Sequence, residues 1–331
     1  MKIKDITNAL EELAPLSYAE DFDNVGLLVG HFDTEVTGVL VTLDTLEAVV
    51  EEAIAKSCNL ILSFHPIIFS GLKKLNGKNY VERVVIKAVQ HNIAIYAIHT
   101  ALDNSFSGVN AKICDVLGLQ NRNILIPQNE TLKQLTIDVP KEVIKKVGNT
   151  LTAAGASSIQ HKDAGLVITF KKHLEKKITN TLFALHPSEQ IHYEITSLSS
   201  SQERIGMGMI GELKVAMQEK EFLMFVKTNM RTDCIRHSKT TGKSIKKIAV
   251  LGGSGSFAIE KARNAGADAF ISADFKYHEF YKAENQILLL DIGHYESEQF
   301  TKNLLVDYLT KKFTNFAIIL SDTHTNPIYY L

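Results

Sequence analysis

The chain has 331 residues, 45% of them hydrophobic and 22% charged, with 36 Lys and Arg against 37 Asp and Glu and a formal net charge of -1. That length corresponds to about two domains and is ample for a buried core, and the composition excludes wholesale disorder. The balanced charge lacks the overall basic footprint of a dedicated nucleic-acid binder, and no run approaches the roughly 18 apolar residues that a membrane-spanning helix needs.

Reading from the N-terminus, Ile6, Leu10 and Leu13 fall at helical spacing and predict an opening amphipathic helix. The chain then alternates. Val39 to Leu43 is a short apolar run, Leu46 to Ala55 has helical periodicity, and Leu60 to Phe64 reads as a strand. Val81 to Val89 reads as a helix and Ile93 to Ile98 as a strand. Strands separated by helices in this rhythm predict β-α units on a mostly parallel sheet. The rhythm returns late, with strands at Lys247 to Leu251, Ala269 to Ser272, Ile287 to Ile292 and Phe316 to Leu320. Helices are predicted between them at Ala258 to Ala265 and Phe300 to Leu309.

Between the two blocks the pattern changes. Leu132 to Val139 alternates, Pro140 opens a helical stretch reaching Ala154, and Ser157 to His161 and Leu166 to Phe170 read as strands. Ile178 to Leu185 reads as a helix and Ile191 to Leu198 as a last strand. The order β-α-β-β-α-β is ferredoxin-like. Residues 129–200 are therefore read as an insertion splitting one α/β domain into halves at 1–128 and 201–331, with the Ser-rich Ser197 to Gln202 marking its exit.

In open α/β sheets, ligands bind beyond the carboxyl ends of the strands. Three predicted strand ends carry polar side chains of one chemical kind: His65 in SFHPIIF, His99 and Asp103 in HTALDNSFSGVN, and His294 with Glu298 in GHYESEQF. Imidazoles mixed with carboxylates suit a borderline divalent cation such as Zn, Mn, Fe or Ni. A helix beginning near Tyr295 would place Glu298 in its first turn, facing the same way as His294. Each residue by itself also reads as a satisfied core histidine or a helix cap; their recurrence at strand ends favours a metal site.

Other motifs stay open on the residues alone. Asp23 and Asn24 in EDFDNVGLLVGH either reach the same cleft or form an Asx turn. KKIAVLGGSGSFAIEKA is strand, glycine loop and helix, which fits an anion cradle or a tight turn but not the dinucleotide fingerprint. TTGKS fails as a Walker motif because His237 stands where the first glycine belongs. In HPSEQIHYE, His192 and Glu194 share a strand face, open to a second metal site or to ordinary strand chemistry. Cys58, Cys114 and Cys234 form no CxxC pair, and the charged N-terminus lacks an apolar h-region, so a reducing, cytoplasmic location is expected.

Eight segments in order, DFDNVGLLVG, SFHPIIF, HTALDNSFSGVN, GMGMIGEL, GGSGSF, ADFKYHEF, GHYESEQF and THTNPIYYL, resemble the NIF-three-like family, whose bacterial members are labelled GTP cyclohydrolase 1 type 2 homologues. The insertion resembles a shortened PII/CutA-like domain. The resemblance implies a toroidal homohexamer with one or two divalent ions per chain facing an internal cavity. His65, Asp103, His294 and Glu298 match the family's ligands, with Glu298 bridging. It implies hydrolysis of a nucleotide or phosphoester by metal-activated water, with attack on the purine ring of GTP under the family label and phosphate at Gly252 to Gly255. No membrane or nucleic-acid partner is expected. This chain departs from the family at Phe64, where many members have a second histidine, so the second ion's site is weakened, empty or completed by water or His99. It departs also at Met209, where an arginine is usual, and at His324, where many have asparagine. Those departures keep a second reading open, a non-catalytic metal-binding regulatory or scaffold hexamer.

Overall fold

In the computed structural model, residues 1–140, 142–162, 165–185, 192–199 and 204–331 are described. The chain is mixed α/β and divides into two compact units, one formed by Met1–Ile126 with Gly206–Leu331 and the other by Pro127–Ile205.

The first unit holds two sheets. Strands β1 (Gly26–Val29), β2 (Val39–Thr42), β3 (Leu60–Ser63) and β4 (Ala94–Ala97) enter early, with helices α1 (Glu47–Ala55) and α2 (Tyr80–Gln90) between them. Every residue of β2, β3 and β4 is buried. This is why they read as continuous apolar runs without alternation: parallel strands covered on both faces have no solvent side to mark with polar residues. The last strand of the chain, Ile318–Leu320, pairs in parallel with β2 at Ile318↔Val39 and Leu320↔Val41. The resulting order is β1, β4, β3, β2 and the C-terminal strand, with β1 antiparallel at the edge.

In the second sheet Ser244–Ser254, Ala269–Ala273 and Leu288–Asp291 run parallel. Gly206–Gln218 pairs antiparallel with Ser244–Ser254, and Gln120–Pro127 lies beyond it. The thirteen residues of Gly206–Gln218 and the helix Glu219–Asn229 that follows are absent from the reading of the sequence. Glycines at 206, 208 and 211 hide that strand, since glycine weakens a strand signal and here permits close backbone approach. A Cβ on Gly208, at φ +67°, would lie 3.0 Å from the Val250 carbonyl oxygen. The largest core is shared by both sheets: Val41, Leu62 and Tyr96 join Ile248, Val250, Ile271 and Leu290 in one cluster.

The second unit has its own core of Leu135, Ile137, Leu151, Ile168, Phe170, Ile178 and Leu182. Its elements follow as strand Leu132–Asp138, helix Ile144–Ala154, strands Ala156–Lys162 and Gly165–Lys171, helix Glu175–Leu185 and strand Tyr193–Leu198. Leu132–Asp138 lies centrally, antiparallel to Gly165–Lys171 on one side and to Tyr193–Leu198 on the other. His186 to Ile191, part of HPSEQIHYE, and Ser200 to Gln202 of the Ser-rich exit lie outside the described residues.

Candidate metal centre

The centre is assembled where parallel strands of the two sheets end. Beyond β3, the Ser63 hydroxyl donates to the Leu43 carbonyl at 3.2 Å and to the His65 carbonyl at 2.7 Å, and the His65 amide donates to Leu43 at 2.9 Å. These bonds fix the turn that presents the His65 ring. Phe64 is fully buried, with its ring centroid 4.9 Å from that of His65 and edge-on to His99 at 5.5 Å. It forms an apolar wall behind the imidazoles. His294 and Glu298 open and close a five-residue helix, α3 (His294–Glu298), starting one residue before the expected position. Four residues apart, they share one helix face.

Three ligand atoms converge. The Nε2 atoms of His65 and His294 lie 3.1 Å and 3.3 Å from Glu298 Oε2. That oxygen, on a side chain only 3% exposed, accepts no well-formed hydrogen bond. Each imidazole is held from behind: His65 Nδ1 is 2.8 Å from Asp44 Oδ1, and His294 Nδ1 is 2.7 Å from Asp274 Oδ2. A carboxylate that accepts the Nδ1–H hydrogen bond fixes the tautomer in which Nε2 can ligate, the usual support of a metal-ligating histidine. Among the described residues, His65, His294 and Glu298 form the group of imidazole, thiol and carboxylate side chains close enough to share one ion.

The charges are strongly coupled. Burial penalises the cationic forms of both histidines, but the Glu298 and Asp44 carboxylates raise His65 to about 10, and Asp274 and Glu298 raise His294 to about 11. Burial likewise opposes ionisation of Glu298, yet the two imidazoles hold it near 2. Without an ion, protons fill the gap between these groups. A metal taking their place releases them.

Asp103 stands outside the tight triad but lines the same cavity, of about 240 Å³, together with His99, Glu298 and His294. Its Oδ1 is buried with no hydrogen-bond partner, and burial, reinforced by the Glu298 charge, pushes its carboxyl well above the usual range. Two carboxylate oxygens without a well-formed hydrogen bond on one cavity, beside imidazoles that a cation would deprotonate at Nε2, fit a hard or borderline divalent cation. His99 is ordered by Asp23, whose Oδ1 lies 2.9 Å from His99 Nδ1 and whose Oδ2 takes the Thr100 amide and hydroxyl. Those bonds overcome burial and lower Asp23 to about 2. The Asn24 backbone amide donates to Asp23 Oδ1 and the Asn24 side-chain amide to the Ile68 carbonyl, so Asp23 acts on the cleft through His99 and neither residue lines it.

Asp44 and Asp274 were missed in the sequence, although the rule that found His65 applies to them too. Asp44 follows β2 and Asp274 follows Ala269–Ala273, both at carboxyl ends of parallel strands. Other motifs resolve differently. The glycine loop continues the strand Ser244–Ser254, and its amides are in use: Gly252 donates to Asn110 Oδ1, Gly253 to Ser297 Oγ and Gly255 to the Ala273 carbonyl. The loop therefore backs Glu298 rather than forming an open anion cradle. The Met209 side chain is fully buried with its sulfur 4.0 Å from Cys114, so its identity does not set the charge of the cavity. In TTGKS the Glu219 carboxylate accepts from the Thr241 and Gly242 amides, which clamps a turn. His192 and Glu194 are exposed and belong to no such cluster among the described residues. The His324 ring packs on Tyr295 at 5.1 Å.

Comparison with known proteins adds likenesses over nearly the whole chain. The sequence model of the Duf34/NIF3 (NGG1p interacting factor 3) family matches residues 1–327. A Bacillus subtilis protein named GTP cyclohydrolase 1 type 2 homolog is 31% identical, covering 99% of this chain and 98% of its own length. Crystal structures of a Bacillus cereus protein related to NIF3 and of a Staphylococcus aureus protein each superpose with a TM-score of 0.83, at 28% and 30% identity, over 100% of this chain and 99% of theirs.

Proposed function

The chain belongs to the Duf34/NIF3 family, and from that premise we propose that it binds a divalent cation at His65, His294 and Glu298 and uses it in hydrolysis. The observation that carries this reading is the convergence of two Nε2 atoms on the unbonded Glu298 Oε2, each imidazole braced through Nδ1 by a carboxylate. Asp103 and His99 border the same cavity, Asp103 as a further ligand and His99 as a group that orients or moves a proton. Glu296, the other carboxylate of α3, bonds Asn326 instead and takes no part. When bound, a cation of this kind lowers the pKa of water from about 16 to about 7, which supplies a nucleophile at neutral pH. A nucleotide such as GTP or a phosphoester is the substrate class suggested by the family name. The same reading takes the chain as a subunit of a cytoplasmic homohexamer, which light scattering of the purified protein tests directly.

The decisive experiment is elemental analysis of unsupplemented protein, followed by a hydrolysis screen of GTP and assorted phosphoesters with the metal found. Bound metal and turnover that both vanish in Glu298→Ala support the proposal. The double variant Asp103→Ala with Glu298→Ala is expected to fold and to carry no metal; unchanged metal content would sink the site assignment. The second reading, a metal-binding regulatory or scaffold assembly, is favoured by the wholly buried Phe64, which contributes no ligand. Bound metal with no turnover on any substrate would select it.

A further inference from the structure

The C-terminal segment reaches the centre through Asp44. Its strand, Ile318–Leu320, runs parallel to β2, so both chains leave the sheet at the same edge. Three residues past Val41 stands Asp44, and five past Leu320 stands Thr325. The Thr325 hydroxyl donates to Asp44 Oδ2 at 2.7 Å, while Asp44 Oδ1 holds His65 Nδ1 at 2.8 Å. Both oxygens of Asp44 are thereby fixed, one by the segment and one by the imidazole.

Thr325 is itself held on both sides. Upstream, Glu52 accepts from the Ser321 hydroxyl at 2.6 Å, the Asp322 amide at 2.8 Å, the Thr323 amide at 3.2 Å and the Thr323 hydroxyl at 2.6 Å. Downstream, Asn326 Nδ2 donates to Glu296 Oε1 at 3.0 Å, within the helix that carries His294 and Glu298. Ser321, Thr325 and Asn326 are buried, whereas Ile328 and Tyr329 just beyond are exposed. The tie is thus confined to 321–326. Behind the other histidine, Asp274 stands one residue past the end of its own strand, takes a side-chain hydrogen bond from Ser254 and is 44% exposed.

We propose that residues 321–326 are a positioning strap for the metal centre, with Thr325 orienting His65 through Asp44. The proposal rests on the reading of His65, His294 and Glu298 as metal ligands. The Thr325 hydroxyl is spent on Asp44 Oδ2; it restricts the rotation of Asp44, and so the direction in which His65 Nε2 points. Partners of this outer kind typically contribute 10–100-fold to metal affinity.

The test uses the full chain and Co(II), read by its visible absorption, with thermal unfolding measured alongside. Thr325→Val is expected to weaken Co(II) binding about 10-fold, the low end for an outer partner because it acts through Asp44. It should also alter the ligand-field bands. Thr325→Ser, which keeps the hydroxyl, is expected to restore affinity and spectrum. Leu10→Ala, a core truncation outside the strap, is expected to lower the melting temperature while leaving the Co(II) affinity unchanged. Wild-type affinity and spectrum in Thr325→Val would overturn the proposal, as would an equal loss in Leu10→Ala, which would mark the effect as general loss of stability. Absence of Co(II) uptake in the wild-type protein would instead overturn the metal reading itself, and the strap's role with it.

Discussion

At the scale of single residues, the centre depends on backbone that only glycine tolerates. Gly253 has φ +70°, and a Cβ there would lie 2.4 Å from Glu298 Oε1 and 3.3 Å from His294 Nε2. Gly253→Ala is therefore expected to do two things. It should cost about 1–3 kcal/mol of stability, the range for a non-glycine residue held in the left-handed region. It should also weaken metal binding by moving the Glu298 carboxylate. Denaturant unfolding and a metal titration of the same preparation check both; an alanine variant with wild-type affinity would show that the carboxylate relaxes freely. The four ligand candidates were legible as residue types at strand ends, because that is where an open α/β sheet leaves side chains uncovered. What could not be read was their mutual distance. Four-residue spacing on a helix brings Glu298 beside His294, but nothing local brings His65 to Oε2 of Glu298 from another sheet.

At the scale of elements, the parallel strands β2 and β3 and the C-terminal strand carry Asp44, His65 and Thr325 to one edge, and the register of those pairings aligns them. Glu52 on α1 fastens the outgoing chain. Burial opposes its charge, but bonds from Lys56, Ser321, Thr323 and the Asp322 amide outweigh that and lower it to about 2, below the ordinary glutamate range. A carboxylate with a depressed folded pKa stabilises fully above its unfolded pKa and loses that contribution as pH falls through the folded one. The stabilisation by Glu52 should therefore be intact above about pH 4.5 and fade toward about pH 2. Glu52→Gln is expected to lose about 1.5–3 kcal/mol at neutral pH, the span for hydrogen bonds to a charged group. The difference from wild type should shrink in acid. Urea midpoints of both proteins at neutral and acid pH measure it, and a gap that stays constant in acid would contradict the assignment. Helices with a clear apolar stripe were found near their observed bounds, whereas the glycine-bearing strand Gly206–Gln218 was not, since its close backbone packing leaves no alternation to read.

At the scale of the molecule, the chain divides into two compact units, Met1–Ile126 with Gly206–Leu331 and Pro127–Ile205, each with buried hydrophobic packing of its own. Every residue of the candidate centre belongs to the first. Leu151 is wholly buried in the second core, so Leu151→Ala should destabilise that unit by about 2–5 kcal/mol. The expected result is an earlier unfolding transition for that unit with unaltered metal affinity, read by calorimetry and a metal titration. A matching loss of metal would show that the two cores are energetically linked.

The sequence by itself determined the α/β class and the family resemblance, and it pointed to His65, His99, Asp103, His294 and Glu298 as candidates, because periodicity and strand-end position are local properties of a chain. Only the tertiary structure decided that His65, His294 and Glu298 converge within ion-binding distance while Asp103 stands beside them. It alone decided too that Asp44 and Asp274 brace the imidazoles, that the glycine loop spends its amides internally, and that Thr325 reaches Asp44. The bracing pairs join residues far apart in sequence, 20 positions for Asp274 and His294 and 281 for Asp44 and Thr325. Such pairings are set by which strands lie side by side and in what register, and no local pattern of residues encodes that.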